Sequence, residues 1–308
     1  MKPTGIPIGR REFVEISAAT TIAVSAGVNP TTPGEKAMKG PQICVFSKHL
    51  QFLGYNELAK VCKEIKVDGV DLTVRKGGHV TPDKLDTDLP RAVEAIRGEE
   101  LDVPMISSAL FSGNDPDARP IISAAAKLGI RYVRVGGQKY SETGNPADEL
   151  PKFTAELKSL AALAKEMKVE LVYHNHSGMN TVSAPIWDLY SMYREIGLDS
   201  LGSSFDVSHA TIEGGLGGWN LSARLMAAHT KVMAVKDFIW KDKELHWCPL
   251  GEGQVKTVAM LKILKDAGFA GPISMHFEYK TPSNDSMIEE VRKTALTLRG
   301  YLAEVGYA

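Results

Sequence analysis

The chain has few cysteines: Cys44, Cys62 and Cys248 are the three in 308 residues, and no two stand at a Cys-x-x-Cys spacing. That disfavours a zinc ribbon or a disulfide scaffold, and buried free thiols are expected. Nor is there an excess of charge of either sign. The 36 Lys and Arg face 37 Asp and Glu, a formal net charge of −1, with no long basic run. A nucleic-acid binder would carry a positive footprint, so that partner class is disfavoured. No apolar run reaches bilayer length, and no membrane span is expected. The glycine pairs at 77–78, 136–137 and 214–215 do not form a Gly-x-Gly-x-x-Gly opening a helix, so nucleotide binding lacks its fingerprint. Apolar residues, by contrast, make up 44% of the chain, enough for a substantial core and against intrinsic disorder.

Residues 1–41 differ from the rest. Arg10 and Arg11 precede Phe13 and a small, mildly apolar stretch interrupted by Glu15, with a small-residue exit at "VSA" (24–26). This resembles a twin-arginine export signal, which implies a periplasmic or exported protein; the alternative is an ordinary N-terminal arm on a cytoplasmic one. "NPTTPGEKAMKGP" (29–41) reads as a Pro/Gly-rich linker. The expected organisation is a leader and linker at 1–41 and a single domain at 42–308.

From residue 43 short apolar runs alternate with helical patterns. Strands are expected at 43–47, 69–74, 102–110, 132–137, 170–178, 201–209, 231–238 and 271–279, each followed by a helix. Eight such units predict a parallel (β/α)₈ TIM barrel, with a doubly wound open sheet as the alternative.

Polar residues gather where these strands end, the catalytic rim of such a barrel. His174 and His176 share one face of the fifth strand. Asp206 and His209 end the sixth, Lys236 and Asp237 the seventh, and His276 and Glu278 the eighth. On the second, Asp71, Thr73 and Arg75 share a face, with His79 in the loop beyond. A single histidine is usually a satisfied core or surface residue, but buried ionisable groups are costly unless paired or metal-bound. Chance accounts for one such residue at the rim far better than for six. Mixed imidazoles and carboxylates suit Mn²⁺, Zn²⁺, Co²⁺ or Fe²⁺ better than Ca²⁺. Trp240 and Trp247 flank the long loop after the seventh strand, as a wall for a sugar or as loop packing.

At these residues the chain resembles the xylose-isomerase-like TIM-barrel family, the sugar phosphate isomerases/epimerases. The resemblance spans about residues 42–300 and rests on "DGVDLTVRKGGHV", "VYHNHSG", "FDVSHA", "VKDF", "PLGEG" and "GPISMHFEY" in barrel order. It implies one divalent ion held by a strand-five Glu, a strand-six Asp, a strand-seven His and a strand-eight Glu. By position Asp206 matches the Asp, Glu278 the last Glu, and His209 a substrate-contacting His. Two positions depart: His174 stands where the strand-five Glu is expected, and Ala234 where the strand-seven His is expected. The epimerase mechanism with a glutamate on each substrate face therefore lacks one base.

His174 is then expected to replace the missing carboxylate as a ligand, and His276 to make up for Ala234, giving His174, Asp206, His276 and Glu278 as the metal set. Lys236, His176 and His209 are the candidate catalytic residues, with a structural ion pair as the alternative role for Lys236. Arg75, His79, Trp240 and Trp247 are candidate substrate contacts. The resemblance implies a metal-dependent isomerase or epimerase, or a ketosugar lyase, moving a proton beside a polarised carbonyl. Export favours unphosphorylated sugars, and a homo-oligomer is compatible with this reading. The alternatives are a carbohydrate-binding barrel that has lost its metal, which Ala234 would favour, and an endonuclease-type phosphodiesterase.

Overall fold

The computed structural model describes residues 40–197 and 201–307, so the export signal expected at the N-terminus lies outside the described residues. Eight parallel strands close into a barrel: β1 (Ile43–Phe46), β2 (Gly69–Thr73), β3 (Asp102–Ser107), β4 (Tyr132–Arg134), β5 (Glu170–His174), β6 (Leu201–Asp206), β7 (Thr230–Val235) and β10 (Ile273–Met275). The last of these pairs with both β7 and β1, which completes the ring and leaves no free edge. Two further strands, β8 (Asp237–Lys241) and β9 (Glu244–Cys248), form a separate antiparallel hairpin.

The helices are α1 (Tyr55–Glu64), α2 (Leu85–Gly98), α3 (Ala118–Lys127), α4 (Pro146–Glu166), α5 (Ile186–Ile196), α6 (Val207–Gly214), α7 (Gly218–Met226), α8 (Thr257–Asp266) and α9 (Asn284–Glu304). No described helix is long and apolar enough to cross a membrane.

Strand alternation separates two cores. Leu171 and Tyr173 of β5 and Met233 and Val235 of β7 pack in the large outer cluster, while Val172 and Val232 meet Met105 and Tyr132 in a small inner one. Above that plug Asp71 accepts hydrogen bonds from Ser107 Oγ at 2.7 Å and Ser274 Oγ at 2.8 Å. The lumen is thus closed, and chemistry is confined to its carboxyl-end mouth.

Several strands are shorter than the sequence pattern suggested. β6 ends at Asp206 because the Asp206 side chain accepts from the backbone N–H groups of Ser208 and His209 and starts α6 there. The loop expected after the seventh strand is instead the β8–β9 hairpin, turning through Asp242 and Lys243 at φ 52° and 66°, a two-residue geometry that matches strand twist.

Asp237 anchors this hairpin. One of its oxygens accepts from Phe238 N at 2.9 Å and Val255 N at 3.0 Å, the other from Gly251 N and Gly253 N, both at 3.1 Å. A Cβ on Gly253 would collide with that carboxylate, which accounts for the glycine in "PLGEG". Asp237→Ala should orphan several N–H groups and cost about 1–3 kcal/mol. The check is calorimetry, where an unfolding temperature equal to wild type would mean that the loop holds without the carboxylate.

Candidate functional site

The site begins with Asp206, which is rigid by construction. Its Oδ1 accepts from Ser208 N at 2.9 Å and His209 N at 2.8 Å, while its backbone is held on both sides by Asn175, at 2.8 and 3.1 Å. Oδ2 is left facing the lumen, 3.3 Å from His174 Nε2 and 3.2 Å from Lys236 Nζ. These approaches are close enough for attraction but do not give Oδ2 a directed hydrogen bond, and His276 Nε2 is likewise buried without one. Oδ2 keeps the attraction of the Lys236 ammonium, but a buried ring nitrogen without a partner, as in His276, is rare in folded proteins and calls for an explanation.

A cation supplies one. His174, Asp206 and His276, all buried, present ligand atoms within 4.8 Å of one another. Ser204 Oγ lies 3.3 Å from His174 Nδ1, which orients that ring with Nε2 inward. His276 is stacked between Phe46, with ring centroids 4.6 Å apart, and His174, at 5.3 Å. Two imidazoles and one carboxylate fit a divalent transition ion. A second grouping, His174 with His176 and His209, meets the same distance condition. There, however, both His209 nitrogens are engaged, Nδ1 with Ser177 Oγ and Nε2 with Lys236 Nζ, each at 2.8 Å.

The electrostatics agree with the first grouping. Burial, reinforced by Arg134 and the other histidines, holds His174 and His276 well below the usual imidazole range, so both are neutral as ligands must be. Burial alone would raise the Asp206 carboxyl, but Lys236, His209 and His174 beside it hold it well below the carboxylate range.

These shifts predict an acid weakness. Burial pushes His176 down to about 3 and His209 down to about 4, from 6.5 when exposed. Below pH 6.5 the unfolded chain takes up protons that the folded one refuses, so stability falls as pH drops from 6.5 toward the folded values. Each such imidazole contributes about 1.4 kcal/mol per pH unit in that window. Metal-free protein should therefore unfold at a clearly lower temperature at pH 5 than at pH 7. Equal unfolding temperatures would mean that the imidazoles are charged in the fold.

The remaining expected residues divide. Trp247 joins the site, with Lys236 Nζ 4.9 Å from its ring centre and His209 at 5.9 Å. Lys236 is buried, and the Ser208 hydroxyl donates to its carbonyl, tying the end of β7 to α6. Glu278 stands outside the compact donor group, at the rim, 3.6 Å from Lys236 Nζ and 3.8 Å from Lys48 Nζ. Trp240 is 49% exposed and packs on Phe238. His79 is not brought to the cluster; it lines a separate groove of about 710 Å³ with Gln51, Leu53, Tyr55 and Arg91. Arg75 reaches the site's edge, its guanidinium 5.7 Å from the Phe46 ring centre.

Sequence reasoning missed Asn175, Ser204, Phe46 and Arg134. The last had a signal: it stands two residues after Tyr132, on the lumen face of β4.

Comparison with known proteins gives a consistent picture. The family model described as a xylose isomerase-like TIM barrel matches residues 59–297. Among solved structures, an L-ribulose 3-epimerase is similar at TM-score 0.69 and 16% identity, over 86% of this chain and 95% of that one. The 3-keto-D-glucoside 4-epimerase of E. coli in its apo form is similar at TM-score 0.67 and 13% identity, over 84% and 99%. A xylose isomerase-like TIM barrel protein from Mycobacterium smegmatis, in complex with magnesium, is similar at TM-score 0.63 and 14% identity, over 85% and 97%. No curated protein matches the chain. At such identities the structural likenesses carry the fold alone.

Proposed function

This chain belongs to the xylose isomerase-like TIM barrel family, and from that premise we propose that it is a divalent-metal-dependent enzyme that moves a proton beside the carbonyl of a sugar or ketosugar. The observation that carries the reading is the contact of Lys236 Nζ with His209 Nε2, at 2.8 Å, beside the buried His174, Asp206 and His276 donors. The epimerases among its structural neighbours act on sugars, which supports that substrate class.

When bound at His174, Asp206 and His276, a divalent ion would polarise the substrate carbonyl and acidify the adjacent C–H. The proton itself is handled by the chain. His209 is neutral, and with Nε2 accepting from Lys236 its Nδ1–H donates to Ser177 Oγ, which fixes the ring. Lys236 is oriented by that ring, by Asp206 Oδ2 and by Glu278 Oε1 at 3.6 Å, and is the proton carrier. Trp247 covers it, excluding water and offering an apolar face to a sugar ring.

With His174 in place of a strand-five carboxylate, Lys236, His209 and Glu278 form a single connected set rather than two opposed bases. In that set the Glu278 carboxylate takes up the proton removed from carbon and the Lys236 ammonium gives one back, both from one side of the bound sugar. Aldose–ketose isomerisation and β-elimination from a 3-keto-glycoside need no more than that, so they are favoured over two-base epimerisation.

The test is incubation of the metal-loaded protein in deuterated water with free sugars and 3-keto-glycosides, read by mass spectrometry. Deuterium should enter at the carbon next to the carbonyl. Sugar binding without exchange would overturn the reading in favour of a carbohydrate-binding barrel. Export through the signal at Arg10 and Arg11 is part of the same proposal; an exported protein whose mature chain still began at Met1 would contradict cleavage of that signal.

A further inference from the structure

Arg134 presents an energetic problem. Its side chain is buried at 7% exposure, its Nε has no hydrogen-bond partner, and its guanidinium forms no ion pair among the described residues. The carboxylates that act on it, Asp71 foremost and then Asp206 and Glu278, offset part of its charge without bonding it, and Asp71 is already engaged by Ser107 and Ser274. A buried, unpaired guanidinium is among the costlier groups a fold can carry, and an apolar residue of similar size would fill the same space more cheaply. The face of Phe46, 4.8 Å from the guanidinium, offsets a further part of that cost but gives the buried Nε no acceptor.

Arg75, two residues beyond β2, has its guanidinium 5.7 Å from the centre of the same ring and makes no ion pair among the described residues either. Two like charges are therefore gathered around one aromatic ring, whose neighbour is the donor His276. Asp71 acts on both guanidinium groups but bonds neither, so what the pair lacks is a directly bonded anion, and planar guanidinium forks are the side chains best shaped to hold a carboxylate or phosphate.

We infer that Arg134 and Arg75 form a subsite for an anionic substituent of the substrate, so that the sugar handled at this mouth is an acidic one carrying a carboxylate or a phosphate. This rests on the proposed function for the reacting end of the molecule and adds the identity of its other end. Phe46 sets the span: it contacts both guanidinium groups and His276, so the acidic group sits beside the reacting centre.

The experiment is calorimetric titration of the purified full chain with D-glucuronate, D-glucose 6-phosphate and D-glucose. One or both anions should bind at least about tenfold more tightly than glucose, the worth of a charge-assisted pair. Arg134→Met should shrink that preference to less than about threefold, with Arg75→Met reducing it in part. Which anion is preferred separates the carboxylate from the phosphate. Wild-type protein that binds glucose as tightly as both anions would overturn the inference without recourse to any variant, as would a preference that survives Arg134→Met. Deuterium exchange is read separately, so an anion preference without exchange would retain the subsite while removing the enzymatic reading.

Discussion

Asp206→Asn protein should remain folded and lose at least about a hundredfold in affinity for Mn²⁺ or Co²⁺. Asparagine keeps an Oδ1 that can accept from Ser208 N and His209 N, so the start of α6 survives. What disappears is the charge on Oδ2, the one anionic member of a donor set whose other members are two neutral imidazoles. Loss of a group that merely orients a metal ligand typically costs about 10–100-fold in metal affinity, and loss of a carboxylate that itself binds the ion should cost more. Metal titration beside circular dichroism reads both halves of the expectation. A folded variant that binds the ion as tightly as wild type would remove Asp206 from the coordination sphere.

Lys236→Met should have a comparable effect on turnover and the opposite effect on metal. Removing a positioned acid/base group costs about 10²–10⁴ in rate. Lys236 Nζ lies 3.2 Å from the same Asp206 oxygen that the ion would use, so its removal should leave metal affinity equal or improved. Metal titration and exchange kinetics on one preparation separate the two. Lys236→Arg adds a second contrast, since it keeps a cation that cannot act as a proton donor at neutral pH because the guanidinium is not deprotonated. Rescue by arginine would make Lys236 an electrostatic clamp. Intact turnover in Lys236→Met with metal bound would exclude both roles.

Much of this architecture was legible in the chain before any coordinates. Hydrophobic runs of strand length separated by helical patterns record a parallel sheet covered by helices, and the count of eight units favoured the closed barrel over the open sheet. The convergence of His174, Asp206, Lys236 and His276 was expected from strand alternation, since residues two apart share a face, together with their place at the carboxyl ends of barrel strands. Tertiary competition was not legible. Asp206 reads as one more strand residue until its side chain is seen capping α6, and only then does His209 fall a helical turn away rather than further along the strand. Asp237 was grouped with Lys236 among the polar residues that end the seventh strand, yet its carboxylate is consumed by four backbone N–H groups.

Arg134 was hidden for a different reason. One arginine in "YVRVGG" carries no motif, and its interest lies wholly in what it fails to touch once buried. Absence of a partner is a property of three-dimensional surroundings. His79 illustrates the converse. Its position after the strand-two motif suggested a substrate contact, but the loop is pinned away from the cluster, the His79 N–H donating to Thr73 Oγ1 and its carbonyl accepting from the Tyr55 hydroxyl.

Anomalous diffraction from crystals grown with Mn²⁺ or Co²⁺ tests the central claim most directly. A single strong peak is expected at the barrel mouth, ligated by His174, Asp206 and His276. A mouth without anomalous signal at saturating ion, or a peak held by other residues, would contradict it.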